Sequence, residues 1–263
     1  MSLDILLRQD SGNVTTLTMN TPKSLNALSD DMLAALQNAF DDIAQNPKIR
    51  AVILRGAGKA FCAGHNLKEM TAARSGADGG KAYFADLFAR CAKLMLTIQS
   101  LPQPVIAQAH GIATAAGCQL VATCDMAVAA DDTRFGVNGV NIGLFCSTPM
   151  VALSRNVPRK QAFEMLTTGK FIDAEQAEKI GLINRAVAYD DLDAATMELA
   201  QTVAAKLGSV VKIGKQAFYN QAQMPVDAAY DYAADVMVQN MMYQETAEGI
   251  AAFIEKRAPK WAQ

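Results

Sequence analysis

Apolar residues recur in the first half of the chain at two spacings, one typical of strands and one typical of helices. Short runs at 3–8 and 13–19 flank a Ser-Gly-Asn turn and predict two strands. Ser29 then predicts the N-cap of a helix that ends at Asn46-Pro47. The apolar stripe of this helix consists of Met32, Leu33, Leu36, Phe40 and Ile43.

The next segments continue the alternation of strands and helices. The run 51–54 is continuously apolar, as in a buried parallel strand, and a helix is predicted near 81–100. A strand at 105–107, a buried helix at 116–124 and a strand at 126–129 follow. Strands separated by helices are typical of crossover units, so the pattern predicts a parallel sheet covered by helices.

After about residue 150 the pattern becomes almost entirely helical. Asp173 and Gln176 form a capping box at the start of one helix. We therefore expect a core domain over residues 1–195 and a helical region over residues 196–263. The longer helices are predicted at about 190–206, 209–222, 226–242 and 244–257.

Composition and charge narrow the class of protein. Hydrophobic residues make up 51 % of the chain, which is enough for a large core. The 24 basic and 26 acidic residues leave a net charge of −2, so we expect no nucleic-acid partner. No uncharged apolar stretch approaches the roughly 20 residues of a membrane span. The first residues do not resemble a secretory signal, and we expect no membrane partner and a cytoplasmic location.

Cysteine and histidine usage argues against disulfides and metal. The five cysteines are odd in number and include no Cys-x-x-Cys pair, so reduced thiols are expected. The only histidines are His65 and His110, and neither lies in a pattern typical of zinc ligands. We therefore expect no metal site.

Two loops that follow buried strands carry the candidate chemistry. The first, 61–70, contains Gly64, and the second, 110–119, contains Ala115, Ala116 and Gly117 before a helix start. Small residues allow a ligand to approach the backbone, and free N–H groups at a helix start attract an anionic oxygen. If the two strands are neighbours, the loops form an oxyanion hole. Ordinary strand-to-helix connections have a similar composition, so this pattern leaves both interpretations open.

The same two loops, with their preceding strands, resemble the two signature blocks of the crotonase superfamily, the enoyl-CoA hydratase/isomerase family. The resemblance covers nearly the whole chain, with several blocks in the same order. Within the family, 143–149 and 157–160 resemble the enoyl-CoA hydratase domain-containing protein 3 group. The other matching blocks are Asn26-Ala-Leu28, Thr168-Gly169, Ala174, Ala177, Gly181 to Asn184, and Phe253 with Lys256-Arg257.

The resemblance implies a fold, a substrate and an assembly. The fold is α/β, the crotonase (ClpP-like) fold, in which repeated β-β-α units form a core sheet and a C-terminal helical region serves trimerisation. The implied substrate is an acyl-CoA thioester, and no cofactor is expected because coenzyme A is part of the substrate. A homotrimer or a hexamer is the implied assembly.

The resemblance also assigns site residues. The backbone N–H groups of His65 and Ala116 map to the two oxyanion donors, and Gly117 lies beside the second. Residues in three further segments map to contacts with the coenzyme, the last of them often with the coenzyme of a neighbouring subunit. These residues are Lys23, Ser24 and Leu25, then Ala63, Asn66 and Leu67, then Phe253 and Lys256.

The two glutamates that hydratases of the family use for proton transfer are absent. Their positions map to Gln119, which does not ionise near neutral pH, and to Gly139, which has no side chain. Since a missing acid or base costs about 10²- to 10⁴-fold in rate, efficient hydration by that route is not expected. The imidazole of His65 and a Cys146 thiol with a lowered pKa are alternative proton-transfer or nucleophilic groups. Other polar candidates are Ser147, Asn138 and Asn141, the last two as orienters of water.

Three functions therefore remain open. The first is an enoyl-CoA hydratase-like enzyme. The second is another thioester reaction, decarboxylation or hydrolysis, which needs the oxyanion hole but not the glutamates. The third is a catalytically silent acyl-CoA-binding protein.

Overall fold

Eight strands build the sheets of the protein, whose computed structural model describes residues 5–261. Most of them are short and buried. In chain order they are β1 (Leu6–Ser11), β2 (Val14–Met19), β3 (Ala51–Gly56), β4 (Val105–Ala109), β5 (Ile112–Thr114), β6 (Met126–Ala130), β7 (Arg134–Gly136) and β8 (Arg185–Val187).

Six of these strands form one sheet in the order β1-β2-β3-β4-β6-β8. β1 is antiparallel to β2, and every other neighbouring pair is parallel. The short strands β5 and β7 pair in parallel to form a second sheet. Each follows a longer strand of the main sheet and precedes a helical segment, so the β-β-α repeat expected from the resemblance is present.

Eleven α-helices occur in the described part of the chain. The first eight belong to the same compact unit as the sheets, and the last three follow that unit along the chain. They are α1 (Asp30–Ala44), α2 (Leu67–Ala73), α3 (Lys81–Ser100), α4 (Ala116–Thr123), α5 (Ser147–Asn156), α6 (Arg159–Thr168), α7 (Ala174–Lys179), α8 (Leu192–Ala204), α9 (Gly208–Gln221), α10 (Val226–Met241) and α11 (Gln244–Ile254).

Helix α1 confirms the prediction from its sequence pattern. The Ser29 hydroxyl oxygen accepts a hydrogen bond from the Met32 N–H at 3.1 Å, which satisfies one of the free donors of the first turn. All five residues of the predicted apolar stripe are buried in the main core. The helix therefore covers the sheet with the face that the 3.6-residue period selects.

The capping box predicts the short helix α7, and Asp173 accepts from the Gln176 N–H at 2.8 Å, but the sequence pattern does not predict several other short elements. The strands β5, β7 and β8 have three residues each, too few to show a period, and α2 has seven. The first strand was placed at 3–8, but β1 runs over Leu6–Ser11, and residues 3 and 4 lie outside the described part. β1 is an edge strand in which every residue after Leu6 is exposed, so its apolar pattern is weak.

The chain divides after Ala205 and not after residue 195. The reason is that α8 packs on the sheet. Ala200 and Ala204 of this helix form a cluster with buried residues of three strands, Val14, Ile53 and Ile106. Helix α8 therefore belongs to the core unit.

The second unit, from Lys206 onward, contains α9, α10 and α11. Several large apolar side chains on these helices are exposed, among them Tyr230, Met237 and Met242. They are available for a partner subunit, and the trimer or hexamer stays a prediction. No helix within residues 5–261 is both long and apolar enough to cross a membrane. In the same range there is no cluster of three or more His, Cys, Asp or Glu side chains suited to a metal ion.

Candidate active site

The two glycine-containing loops are joined by backbone hydrogen bonds. The Cys62 N–H donates to the Ile112 carbonyl at 3.1 Å, and the Thr114 N–H donates to the Cys62 carbonyl at 3.0 Å. The first loop thus adds a bridge beside β5, and its position relative to the second loop is fixed. The two strands that precede these loops, β3 and β4, are neighbours in the main sheet, as an oxyanion hole built from both loops requires.

Glycine is required at both contact points between the loops. Gly64 has φ +89°, and a Cβ on it would lie 3.0 Å from the Ala115 Cβ and 3.3 Å from the Ala116 nitrogen. A Cβ on Gly117 would lie 2.1 Å from the Cys62 carbonyl oxygen. The loops therefore approach as closely as their backbones allow, which brings the 64–65 segment beside the start of α4.

The N–H groups of His65 and Ala116 are free donors on the two loops, as are those of Gly117 and Cys118 in the first turn of α4. No acceptor for the N–H of His65 or of Ala116 lies among the described residues. Ala116 is the first residue of α4, so its N–H is not used in the helix and carries the positive end of the helix dipole. Ala115 before it has the unusual backbone angles φ 50° and ψ −118°, with its own N–H bonded to the Gly136 carbonyl at 2.9 Å. This turn leaves the Ala116 N–H without a backbone acceptor at the start of the helix.

The turn assigned to the coenzyme is attached to the first loop. The Ala63 N–H donates to the Leu25 carbonyl at 3.0 Å, and the Leu28 N–H donates to the Gly64 carbonyl at 2.8 Å. Lys23 and Ser24 are exposed at the outer end of this turn. Four of the coenzyme-binding residues expected from the resemblance therefore lie together near the donors. They are Lys23, Ser24, Leu25 and Ala63.

Asn26 holds this turn in place through its side chain, a role that the sequence pattern does not predict. Its buried amide donates to the Ala57 and Ala60 carbonyls, each at 2.8 Å, and accepts from the Thr21 N–H at 3.0 Å. Its backbone has φ 53°, a conformation that asparagine tolerates better than most residues. Sequence spacing gave no sign of this role because two of the partners are more than thirty positions away.

The remaining predicted contacts are placed less closely. Asn66 caps α2 by accepting from the Lys68 N–H at 3.1 Å and donates to Glu69 at 2.9 Å. Leu67, in the first turn of α2, is exposed. Phe253 on α11 and Lys256 just beyond it are exposed and belong to the second unit. Their contact with a coenzyme stays a prediction.

A small cavity of about 190 Å³ lies beside the two donors. Its surface is mostly apolar, and no Asp, Glu, Lys or Arg is among the described residues that line it. It can hold a small apolar group attached to a carbonyl that faces the donors. The lining residues are His65, Phe88, Ala115, Ala116, Leu144, Phe145, Cys146, Ser147, Thr148 and Pro149.

The His65 ring is part of this wall. Its Nδ1 lies 3.4 Å from the Leu28 carbonyl oxygen, and the ring packs edge-on against Phe88 with 5.8 Å between centroids. The Nε2 atom is buried and has no hydrogen-bond partner in residues 5–261. Burial lowers the pKa of His65 below the usual histidine value, and the charge of Arg90 lowers it further, against the opposing effects of the Leu28 carbonyl and Asp30.

Cys146 does not have the lowered pKa that a nucleophilic thiol needs. Burial raises its pKa, and a hydrogen bond from the Gly139 backbone opposes this only in part. Burial likewise raises the pKa of Cys118 to about 12. Burial thus disfavours the thiolate of both residues, which favours the interpretation of Cys146 as a small core thiol over that of an activated nucleophile.

The two positions of the absent glutamates differ in the space around them. Gln119 is 4 % exposed, and its Oε1 has no hydrogen-bond partner within the described part of the chain. The space beside the Gly139 Cα is already occupied. A Cβ on this residue would lie 2.2 Å from the Leu144 carbonyl oxygen and 2.8 Å from the Cys146 sulfur. Residues 144–146 therefore occupy the space that a side chain at position 139 needs.

The other polar candidates are partly committed to structure. The side-chain amide oxygen of Asn138 accepts from the Thr114 hydroxyl at 2.8 Å, and the side-chain amide of Asn141 donates to the Gly169 carbonyl at 3.4 Å. Ser147 lines the cavity, and its hydroxyl donates to the Phe145 carbonyl at 3.4 Å. These bonds help to fix the position of the 138–142 segment, and the role of the two asparagines in orienting a water stays a prediction.

Comparisons with known proteins agree with this fold and site. Residues 9–263 match the family model described as enoyl-CoA hydratase/isomerase. The enoyl-CoA hydratase domain-containing protein 3, mitochondrial, of Xenopus laevis is 45 % identical over 256 residues, which cover 97 % of this chain and 85 % of that protein.

Two solved structures are similar over almost their whole length. An enoyl-CoA hydratase of Mycobacterium smegmatis superposes with a TM-score of 0.94 at 52 % identity, covering 98 % of this chain and 99 % of the other. The human enoyl-CoA hydratase domain-containing protein 3 gives a TM-score of 0.93 at 41 % identity, covering 98 % and 100 %.

These relatives confirm the crotonase fold and the resemblance to the domain-containing protein 3 group. They also contradict the cytoplasmic location, because the Xenopus relative and those of mouse and human carry the word mitochondrial in their names. The expectation rested on the first residues not resembling a secretory signal, and that pattern does not distinguish the cytoplasm from a mitochondrion. With the family model covering residues 9–263 and relatives this similar along the chain, the protein belongs to the enoyl-CoA hydratase/isomerase family.

Proposed function

We propose that this protein binds an acyl-CoA thioester and stabilises the enolate of that thioester between the N–H groups of His65 and Ala116. The thioester oxygen accepts both hydrogen bonds, and the acyl group enters the 190 Å³ cavity. The turn at Lys23–Leu25 faces the coenzyme. The reaction is therefore one that begins with loss of a proton from the carbon next to the carbonyl, which leaves the negative charge on the thioester oxygen.

One observation carries the proposal. Two backbone donors without acceptors lie on loops whose relative position is fixed by hydrogen bonds of 3.0 and 3.1 Å, beside an apolar cavity. Donors held in place before the charge develops lose no free energy to reorganisation during the reaction. In a site with little water each donor contributes several kcal/mol, roughly 3 to 4 by analogy with measured oxyanion holes.

The proposal does not extend to hydration through two carboxylates. Gln119 does not ionise, and the space at Gly139 is occupied by the Leu144 carbonyl. Decarboxylation of a malonyl-type thioester is also disfavoured, because no Lys or Arg among the described lining residues is available to bind a second carboxylate.

The test combines a binding measurement with an exchange measurement. Butyryl-CoA is expected to bind more tightly than coenzyme A, and the protein is expected to catalyse deuterium exchange at the α-carbon in D₂O, followed by mass spectrometry. Ala116→Pro removes the second donor at a helix position where proline is tolerated. Exchange should fall by at least about 10²-fold, since one oxyanion donor contributes that much.

Ala116→Gly is the matched control, because it changes the same residue and keeps the N–H. It should retain most of the exchange activity. An unchanged exchange rate in folded Ala116→Pro, with Ala116→Gly behaving identically, would refute the placement of the thioester oxygen.

A second candidate function is acyl-CoA binding without catalysis. It is favoured by the absence of carboxylates from the described cavity wall. The same exchange experiment separates the two candidates, because a silent binder retains thioester affinity and exchanges no faster than buffer. Loss of the conjugated absorbance of crotonyl-CoA measures hydration directly, and we expect it to be slow.

A further inference from the structure

The His65 ring is a buried titratable group on the cavity wall that the two-donor oxyanion hole does not use. We propose that the Nε2 atom of this imidazole takes the α-proton of the bound thioester. His65 then acts twice, with its backbone N–H on the thioester oxygen and its side chain on the neighbouring carbon. This inference rests on the proposed function and names the residue that performs its proton transfer.

The hydrogen bond to Leu28 sets the state of the ring. A carbonyl oxygen only accepts, so the ring nitrogen 3.4 Å from it, Nδ1, carries the hydrogen. In a neutral imidazole the other nitrogen, Nε2, then has the free electron pair. That atom is buried and has no partner in the described part of the chain, so the ring has an unsatisfied acceptor that a bound substrate can engage once the ring turns toward the cavity.

One residue can supply both the oxyanion donor and the base because the thioester oxygen and the α-carbon are close together in the substrate. The α-carbon of an acyl thioester is bonded to the carbonyl carbon, so it lies next to the oxygen that the His65 N–H binds. A ring on the same residue, packed against Phe88 in the cavity wall, is within reach of that carbon. A general base must come within hydrogen-bond distance of the proton that it removes. Nε2 is buried while Nδ1 contacts the Leu28 carbonyl, so the ring must rotate out of that contact when the thioester binds.

The step balances without an additional reactant. The Cα–H bond breaks, the proton moves to Nε2, and the electron pair forms the enolate whose negative oxygen lies between the two N–H donors. The ring becomes an imidazolium. Return of the proton, or of a deuteron from solvent, regenerates the thioester. One base that takes and returns a proton is sufficient for exchange.

The other groups near the site are less suitable. Cys146 has a raised pKa, and the hydroxyls of Ser147 and Thr148 are weak bases without a carboxylate or histidine beside them on the described cavity wall. The charged groups that act on the ring are Asp30 and Arg90.

Those two charged groups are already engaged with each other. Arg90 pairs with Asp30 at 2.5 Å, and Asp30 also receives the Tyr83 hydroxyl, at 3.3 Å to its Oδ2. The Glu69 carboxylate accepts the Asp30 N–H at 3.0 Å. Because burial lowers the pKa of His65, the ring is neutral at pH 7 and able to accept a proton.

The test uses two substitutions that keep the backbone donor. In His65→Asn the amide nitrogen replaces Nδ1 toward Leu28 but nothing replaces Nε2. In His65→Gln an amide replaces Nε2, without basicity. Deuterium exchange into butyryl-CoA should fall about 10²- to 10⁴-fold in both, as for loss of a general base, while the Kd for butyryl-CoA changes by less than about threefold.

His110→Gln is the matched control, because it changes the other histidine and its amide can still donate to the Gly58 carbonyl, now 2.8 Å from Nε2. Its exchange rate should stay within about threefold of the wild type. Added imidazole should restore part of the exchange in His65→Gly, where the vacated space can hold it.

The outcomes separate this inference from the proposed function. If wild-type protein exchanges deuterium, Ala116→Pro abolishes exchange and both His65 variants exchange normally, the oxyanion hole stands and the role of His65 is refuted. If wild-type protein binds butyryl-CoA without any exchange, the enolate function itself is refuted. If either folded His65 variant loses exchange and imidazole restores it in His65→Gly, the inference is supported.

Discussion

Gly139 is covered by the segment 144–146, and Gly139→Ala tests how firmly that segment is held. The added Cβ would lie 2.2 Å from the Leu144 carbonyl oxygen, whereas Cβ contacts under 3.0 Å essentially do not occur. The carbonyl must therefore move by about 0.8 Å or position 139 must retreat by as much. The same Cβ would lie 2.8 Å from the Cys146 sulfur, so the alanine methyl group cannot relieve the clash by moving toward that sulfur.

The expected loss of stability follows from three contributions. Overpacking of a well-filled site costs roughly 1 to 3 kcal/mol. The hydrogen bond from the Leu144 N–H to the Gly139 carbonyl, 2.9 Å long, is distorted by the same movement and contributes about 1 kcal/mol. The lower entropy of the unfolded chain with alanine offsets roughly 0.4 to 1 kcal/mol. We therefore expect Gly139→Ala to lower the free energy of unfolding by about 2 kcal/mol.

Urea denaturation followed by circular dichroism measures this difference, provided that the slope with denaturant is unchanged. Gly76→Ala is the control in the same unit, because the nearest atom to its added Cβ is 3.3 Å away and the residue is exposed. It should change stability by less than about 0.5 kcal/mol. A Gly139→Ala protein as stable as the Gly76→Ala protein would show that the segment over Gly139 yields easily and would refute the reasoning.

The same contact decides what happens when the absent glutamates are restored. Gln119→Glu changes one atom in a buried side chain, but Gly139→Glu needs a whole side chain where the Leu144 carbonyl lies. We therefore expect the double substitution to give no efficient crotonyl-CoA hydration. Hydration approaching that of a two-glutamate enzyme would show that the segment opens to admit the carboxylate.

Three further predictions concern the backbone turn, the substrate and the pH dependence. Ala115→Gly should raise the free energy of unfolding by about 1 kcal/mol in a denaturant titration, because glycine adopts φ 50°, ψ −118° without strain; a loss of stability would contradict the strain. The affinity of saturated acyl-CoA thioesters, measured by calorimetry, should rise about fourfold per methylene and level off at about six carbons. The reason is size, because a cavity of about 150 Å³ holds benzene and this one has about 190 Å³. A continued rise to long chains would show an open tunnel. The exchange rate should rise with pH through the lowered pKa of His65 and be constant by neutral pH, because the base acts when deprotonated; a rise only at alkaline pH would indicate the Cys146 thiol, whose pKa is raised.

The parts of the fold that the sequence predicts are those that depend on local regularity. The stripe on α1 and its cap at Ser29 lie within one element, so the 3.6-residue period identifies both the helix and its buried face. The two donor loops were located by glycines and small residues after apolar runs. Those residues are required locally, since a Cβ on Gly64 or Gly117 would collide with the other loop.

The parts that could not be predicted depend on contacts between distant residues or on short elements. Asn26 reads in the sequence as an ordinary turn residue, and only the folded chain brings Ala57 and Ala60 to its amide. The cover over Gly139 depends on a reversal at Gly143, with φ +77°, which returns the Leu144 carbonyl to position 139. Absence of a side chain at 139 is visible in the sequence, but whether the space is empty or filled is not.

The backbone bonds between Cys62 and its two partners, Ile112 and Thr114, also have a consequence for the kinetics of ligand capture. These bonds hold the loop of His65 against β5, which leads into the loop of Ala116, so no loop has to become ordered when a thioester binds. Association should therefore follow a single exponential whose observed rate constant rises linearly with thioester concentration, without the plateau that a preceding or following isomerisation produces. Discrimination between thioesters would then appear in their dissociation rates, which reflect how well each acyl group fills the cavity.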